Sequence, residues 1–254
     1  MNANKNPLGL PTEVIELPSK GLIYPEDHIL HSGKLEIVYP GAKQEDILTN
    51  ANYIDKGLAY TIDKYLESIV LTDVNLDELI PGDKDGLMIA ARILGLGKNY
   101  ATNITIDKKP EPITFDLTYL QEKTLKEDLI TPGVNEFTYT LQRGQVIKFK
   151  LLTGVDVTKM EEEEAGIKKT SPRYSASTSL YLKFAITEVD GERKVGEIRK
   201  FVDRMLQTDT RELKKYISEV TPGYVWKANG VRANNEVVED LYVPFTADFF
   251  WPIS

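Results

Sequence analysis

The sequence contains no cysteine, only two histidines and two tryptophans, and no uncharged run longer than nine residues, Tyr174 to Leu182. Missing cysteine excludes disulfides, thiolate catalysis and thiolate metal sites, so the fold has to hold by packing. The short uncharged runs fall far below the roughly 20 apolar residues of a membrane-spanning helix, so no membrane insertion is expected. Basic charge is also in deficit: 31 Lys and Arg stand against 39 Asp and Glu, a net charge of −8. That balance disfavours a dedicated nucleic-acid binder, whose affinity rests on cations that neutralise phosphates. The opening MNANKNPLGLPTEV has no basic flank followed by an apolar stretch and reads as neither a secretory signal nor a transit peptide. What the chain does have is length, 254 residues, and 41% hydrophobic content, enough for one large or two small domains with real cores.

Residues 1–14 are polar and rich in Asn and Pro, an arm expected to order only on contact, with structure beginning near Val14. A Pro-bracketed loop, LPSKGLIYP at 17–25, leads to a strand on which Leu35, Ile37 and Tyr39 share a face. Gln44 to Asp46 opens a short helix. Leu58, Ile62, Tyr65, Leu66 and Ile69 form the stripe of an amphipathic helix over 55–70. Leu76, Leu79 and Ile80 form a shorter apolar turn closed by Pro81-Gly82. Asp83 is placed to cap a further helix with Leu87, Ala90, Ala91 and Leu94 inward and Gly95 as its stop. Strands at 103–107 and 113–117 flank a KKPEP turn, and Pro132-Gly133 marks the main boundary.

The second part follows a similar order. Phe137, Tyr139 and Leu141 alternate against Ile147, Phe149 and Leu151 across a turn at 142–145. An acidic helix includes Lys159 to Glu164. After a Ser/Thr-rich linker come helices bearing Leu180, Tyr181, Phe184 and Ala185, then Ile198, Phe201, Val202 and Met205. Asp209 and Glu212 form a capping-box pattern before Leu213, Tyr216, Ile217 and Val220. Aligning Gly41 with Gly154, Asp83 with Asp209 and Gly97 with Gly223 gives offsets of 113, 126 and 126 residues, the pattern of a diverged duplication. The expected fold class is α+β, with two related halves at 15–133 and 134–254, each with strands packed against amphipathic helices.

Several apparent chemical motifs dissolve on inspection. Gly95-Leu96-Gly97-Lys98 lacks the spacing and the Ser or Thr of a phosphate loop and reads as a helix C-cap. Asp73, Asn75 and Asp77 imitate a calcium loop whose sixth and twelfth positions are Glu78 and Lys84, the wrong residues. Asp83 and Asp85 suit a helix start better than a hard cation. His28 and His31, with Glu26 and Asp27, sit in a Pro/Gly-bounded loop; a solvated loop is the plainer reading, a metal-dependent hydrolase centred on the two histidines the alternative. No cofactor or metal is expected. The terminal Asp248-Phe249-Phe250-Trp251-Pro252 carries three aromatics, each able to bury roughly 150–250 Å², either as the last piece of the core or as an anchor in a partner.

LPSKGLIYP at 17–25, EDILTN at 45–50, GDKDGLMIAARILGLGKNY at 82–100, FKLLTGVD at 149–156, EVDGE at 188–192, DTRELKKYI at 209–217 and the terminal DFFWP occur in order over nearly the whole chain. Together they resemble the baseplate hub protein family of T-even-type contractile bacteriophage tails. The resemblance implies a structural or assembly protein without enzymatic activity, made and assembled in the host cytoplasm and placed in the virion at the tail baseplate. It also implies partners among other baseplate hub proteins and the tape-measure protein. An assembly chaperone absent from the mature virion is the alternative. Many members resembling this chain carry paired CxxC knuckles in two closing hairpins. Here those turns read DKKPEP at 107–112 and KANGVRANN at 227–235, which leaves the hairpins to Ile104, Ile106, Ile113 and Phe115, and to Val225, Val237 and Leu241. The expected partner contacts are Leu22, Tyr24, His28 and His31 in the 22–33 loop, Glu161, Glu162, Glu163 and Glu164 on the acidic helix, and Phe249, Phe250 and Trp251.

Overall fold

The computed structural model describes residue 6 and residues 9–106, 108–123, 125–171 and 177–251. In chain order the elements are β1 (Thr12–Glu16), β2 (Lys34–Val38), α1 (Ala42–Leu48), α2 (Ala51–Ile54), α3 (Leu58–Ile69), α4 (Pro81–Leu96), β3 (Asn99–Ile106), β4 (Lys109–Asp116) and β5 (Gln121–Glu122). There follow β6 (Phe137–Thr140), β7 (Val146–Phe149), α5 (Gly154–Thr170), α6 (Ser177–Ala185), β8 (Ile186–Val189), α7 (Val195–Asp203), α8 (Gln207–Val220), β9 (Tyr224–Val225), β10 (Lys227–Arg232) and β11 (Val237–Tyr242). The fold is α+β. Among the described residues no helix is long and apolar enough to cross a membrane.

Each part begins with an antiparallel hairpin, β1–β2 or β6–β7, continues through helices, and ends with a longer hairpin, β3–β4 or β10–β11. The two closing hairpins meet side by side in one antiparallel sheet of order β11-β10-β4-β3, with Gly230 opposite Phe115 and Arg232 opposite Ile113. A second crossing pairs β5 with β9. The Pro132-Gly133 boundary is itself tied back to the first half, since the Gly133 N–H donates to the Leu22 carbonyl at 2.8 Å. The apolar core runs through both halves, from Leu17 and Ile23 to Val243 and Phe249. Where the halves meet, a Cβ on Gly82 would stand 1.9 Å from the Pro222 carbonyl oxygen, so the entry to α4 and the exit from α8 touch backbone to backbone.

The amphipathic stripes pack as their periodicity requires. Ile62, Tyr65, Leu66 and Ile69 of α3 and Leu213, Ile217 and Val220 of α8 are buried. Leu58 is the exception at 40% exposed, because α3 starts at that residue, after Gly57 at φ +105°. Structure also begins earlier than Val14: β1 opens at Thr12, Leu10 packs on the core, and the Asn6 side chain closes two 2.8 Å bonds with the Leu10 backbone. Residues 1–5, 7 and 8 of the expected arm lie outside the described residues, as do Asp107, Pro252 and the linker at 172–176.

Neither Asp83 nor Asp209 is an N-cap. Pro81-Gly82 opens α4 rather than closing the preceding turn, with Pro81 at the first helical position, where its missing N–H costs nothing. Asp83 therefore stands two residues inside the helix. Its carboxylate is fully buried and accepts from the Ser19 N–H at 2.8 Å, the Ser19 hydroxyl at 2.7 Å and the Tyr24 hydroxyl at 2.7 Å. The Tyr24 oxygen in turn accepts from the Ile80 N–H at 3.2 Å, one of the amides that a helix start leaves unpaired. Burial pushes the Asp83 carboxyl up, against the pull of Tyr24 and Ser19; burial and the adjacent carboxylate push the Tyr24 hydroxyl up as well, which keeps it a donor. At the other end of α4, Gly95 lies within the helix and Gly97, at φ +82°, is the C-cap. Buried Arg92 donates from Nη1 to the Gly97 carbonyl and from Nη2 to that of Asn99, satisfying the helix end.

Three further expectations change. KKPEP is not a turn: Lys109 to Pro112 belong to β4, opposite Asn103 to Ile106. Pro110 and Pro112 are tolerated because β10 pairs with β4 only at Ile113 to Phe115, leaving no strand on their other side among the described residues. In the second hairpin Leu241 packs half-buried against the core as expected, but Val237 is 56% exposed and Val225 belongs to β9, so Ala228, Val243 and the half-buried Val238 do the rest of the packing. The strand β8, which follows α6 without a break and completes a β6-β7-β8 sheet, has no counterpart in the sequence reading.

The terminal aromatics close the core. Phe249 and Phe250 are buried against Tyr100 and Tyr65 at ring distances of 5.1 Å, and the Trp251 indole donates to the Leu48 carbonyl at 2.8 Å. Asp248 fixes this segment to β3, accepting from the hydroxyls of Thr102 at 2.5 Å and Tyr100 at 3.1 Å and from that of Thr246. Burial raises the Asp248 carboxyl, but the three hydroxyls outweigh it and hold it below the ordinary carboxylate range. Phe249→Ala is expected to cost about 3–5 kcal/mol and Asp83→Asn on the order of 3 kcal/mol in urea unfolding. Asp248→Asn should cost about 1 kcal/mol near neutral pH. Because the folded carboxyl is depressed, this contribution is present above the unfolded value and is lost as pH falls through the folded one, so variant and wild-type stabilities converge once the pH lies below the folded value.

Candidate interaction surface

The structure separates the expected contact residues into those that serve the chain's own packing and those that face outward. Tyr24 belongs to the first group: it is 6% exposed and committed to Asp83, which removes it as a partner contact. Leu22 is half-buried against the core. Phe249 and Phe250 are core residues, and Trp251 is half-buried with its indole N–H already used, so the C-terminal aromatics fold back on their own chain.

The 22–33 loop is not a solvated excursion. Ile23, Tyr24 and Leu30 are buried, and the loop doubles over itself where Gly21 and Gly33 meet. A Cβ on Gly21, at φ +77°, would lie 2.3 Å from the His31 carbonyl oxygen. His28 stacks on Tyr24 with its Nε2 3.1 Å from Glu78, and its Nδ1 accepts from the Leu30 N–H at 3.2 Å, beginning a single 3-10 turn. His31 Nδ1 lies 2.9 Å from the Tyr24 carbonyl. The two imidazoles point to different partners, and among the described residues no group of three or more His, Asp or Glu side chains is arranged to hold a metal ion. Asn75, of the calcium-like run, accepts from the Asp77 N–H as the cap of a short 3-10 turn. Asp85 takes the Trp226 indole N–H at 3.1 Å, facing a different neighbour from Asp83.

The acidic run divides. Glu163 makes a two-bonded contact with Arg199 at 2.7 and 2.8 Å, which holds its carboxyl below the usual range, and Glu164 pairs with Lys168 at 3.3 Å. Glu161 and Glu162 are exposed. They lie on α5, a 17-residue helix with no buried residue.

The strongest outward feature was not apparent from the sequence. Beside β10 and β11 runs a half-open groove of about 810 Å³, walled by Tyr119, Val225, Val231 and Val237. Tyr119 is 75% exposed and Val237 56%, so the apolar surface is presented rather than packed. Asp116, Glu239 and Asp240 also line it. Two of these carboxylates are tied to lysines, Asp116 to Lys98 at 2.7 Å and Asp240 to Lys227 at 2.9 Å, while Glu239 has no ion pair among the described residues. The adjoining edge of β11 is paired with no strand among those residues. Alternation in a strand tells that one face is apolar, not which face is covered, and here Val225, Val231 and Val237 fall on the open side.

No protein-family model, curated protein or solved structure matches the chain. Replacing Tyr119 by Ser and Val237 by Thr together should leave the melting temperature within about 1 °C of wild type, since neither side chain is buried. The same variant should elute earlier from a hydrophobic-interaction column.

Proposed function

We propose that the chain is a structural or assembly component of a bacteriophage tail baseplate hub that works through protein–protein contacts without catalysis. The observation that carries this reading is the apolar groove with its acidic lining on a protein of net charge −8. Contiguous apolar surface rimmed by charge is the mark of an interaction site. Its occupant, by charge complementarity, is an extended segment of another baseplate hub protein or of the tape-measure protein, with apolar side chains set between Lys and Arg. The unpaired edge of β11 offers such a segment backbone hydrogen bonds. The ordered series of motifs from LPSKGLIYP to DFFWP supplies the hub itself. The helix α5, with Glu161 and Glu162 outward, is a second acidic face available to the same assembly. A hydrolase centred on His28 and His31 draws no support from rings engaged with separate partners.

Tails and tail intermediates purified from infected cells test the proposal by mass spectrometry. Stoichiometric presence in mature tails is the result expected of a hub subunit. Presence in intermediates alone assigns the chaperone role, and absence from both overturns the proposal. Val237→Lys should reduce incorporation at least about tenfold, the effect of losing roughly 1.4 kcal/mol at the contact, while Val146→Lys, an exposed change in the β6–β7 hairpin, should not.

A further inference from the structure

Length, charge and proline content decide how readily the edge of a sheet accepts another strand. Among the described residues most open edges carry a guard. β1 has Glu13 and Glu16, β11 has Glu239 and Asp240, and the free part of β4 has Pro110 and Pro112. β5, β6, β8 and β9 run four residues or fewer. The outer side of β2 is held by the Leu71 N–H, which donates to the Glu36 carbonyl at 2.8 Å, and by the Thr72 hydroxyl, which accepts from the Glu36 N–H at 2.9 Å. β3 alone is both long and bare. Its eight residues, NYATNITI, include no charge and no proline, and it forms the border of the four-stranded sheet opposite β11.

Hydrogen bonds fix which backbone groups of β3 are free. The Leu117 N–H donates to the Lys98 carbonyl at 2.9 Å, continuing the register of Asn99 with Asp116 and Tyr100 with Phe115. Bonds in an antiparallel pair alternate, so Tyr100, Thr102, Ile104 and Ile106 exchange theirs with β4, and the odd-numbered residues turn N–H and C=O away from it. Arg92 Nη2 takes the Asn99 carbonyl at 3.0 Å. Ala101, Asn103 and Thr105 remain; all three are exposed, and among the described residues no hydrogen bond reaches their outward backbone groups.

We propose that this edge pairs with β3 of a second copy of the chain, antiparallel about a two-fold axis at Asn103, so that two four-stranded sheets become one. In that register all three free residues bond: Ala101 lies opposite Thr105 of the second copy, Asn103 opposite Asn103, and Thr105 opposite Ala101, each pair exchanging two backbone bonds. Asn103 suits the axis because its amide both donates and accepts and is therefore complementary to itself. Charge selects the occupant. Two copies of a chain of net charge −8 repel, and an edge bearing Glu13 or Glu239 would set like charges close together, whereas β3 brings none within the strand. The nearest charges, Lys98 and Lys108, meet only beyond the strand ends, and Lys98 is already paired with Asp116 at 2.7 Å. A two-fold contact closes on itself, so assembly stops at two copies. This pairing goes beyond the hub reading and does not rest on it.

Sedimentation of the purified chain tests the pairing without any tail component. A reversible monomer–dimer equilibrium is expected. Asn103→Lys, at an exposed position, sets two ammonium groups across the axis and should weaken the dimer at least about tenfold, while the melting temperature of the dilute chain stays within about 1 °C of wild type. Val146→Lys, an equal change of charge elsewhere, should leave the equilibrium unaltered. Because the chain has no cysteine, a single introduced thiol can be oxidised only with that of another copy. Asn103→Cys should form a disulfide-linked dimer at least about tenfold faster than Glu239→Cys, since only the first lies opposite itself within disulfide reach. A chain that stays monomeric up to about 1 mM, a dimer indifferent to Asn103→Lys, growth beyond two copies, or equal oxidation of the two cysteine variants overturns the proposal.

Discussion

The first half is organised around a carboxylate taken out of water. Asp83 gathers an amide and two hydroxyls from a loop about 60 residues earlier in the chain, and through Tyr24 it also satisfies the first free amide of its own helix. A buried carboxylate is favourable only while every donor is in place, so this one residue dictates where the loop from Leu17 to Tyr24 must lie. The loop then fixes the crossing of Gly21 and Gly33, and the crossing fixes the start of β2. Orientation is what the polar group contributes; Leu17, Ile23 and Leu30, all buried around it, contribute the bulk of the stabilisation.

A chain with no cysteine needs other means to hold its two parts together, and besides the β5–β9 pairing three stand out. Backbone pairing of β4 with β10 joins the closing hairpins edge to edge. Contact between Gly82 and Pro222 brings two helix ends closer than any side chain would permit. Phe249 and Phe250, from the far end of the second half, fill a space between Tyr65 and Tyr100 of the first. These rest on backbone pairing and close packing, joined at the β4–β10 junction by the Arg232–Glu111 ion pair at 2.8 Å; most other carboxylates of this acidic protein stay at the surface, where they meet lysines, arginines or solvent.

Much of this was legible in the sequence and some was not, for identifiable reasons. The helices α3 and α8 were readable because a period of 3.6 residues survives whatever the partner is. Asp83 and Asp209 were misplaced because a cap and a third-position carboxylate both stand at a helix start; the discriminating sign was Pro81, which fits a first helical turn better than a terminator. Burial of Phe249 and Phe250 was one of two outcomes that their size allowed. The groove escaped notice because Val225 and Val237 look like interior strand residues until the sheet's covered face is known, and Tyr119 lies in a charged stretch. The four residues of β8 are too few to show a period.

The sheet that joins the halves also sets an order in time. Strand β4 finishes at Asp116, yet its partner β10 begins at Lys227, more than a hundred residues later. During synthesis the first half therefore emerges with that edge uncovered, and at about 5–20 residues per second it stays so for several seconds or longer. Over this interval Pro110 and Pro112, near the start of β4, have a use beyond being tolerated: residues without an N–H blunt an edge against unwanted strands. The two prolines precede the Ile113–Phe115 stretch that β10 later covers, and since β10 does not reach them they go on blunting their own part of that edge in the finished fold.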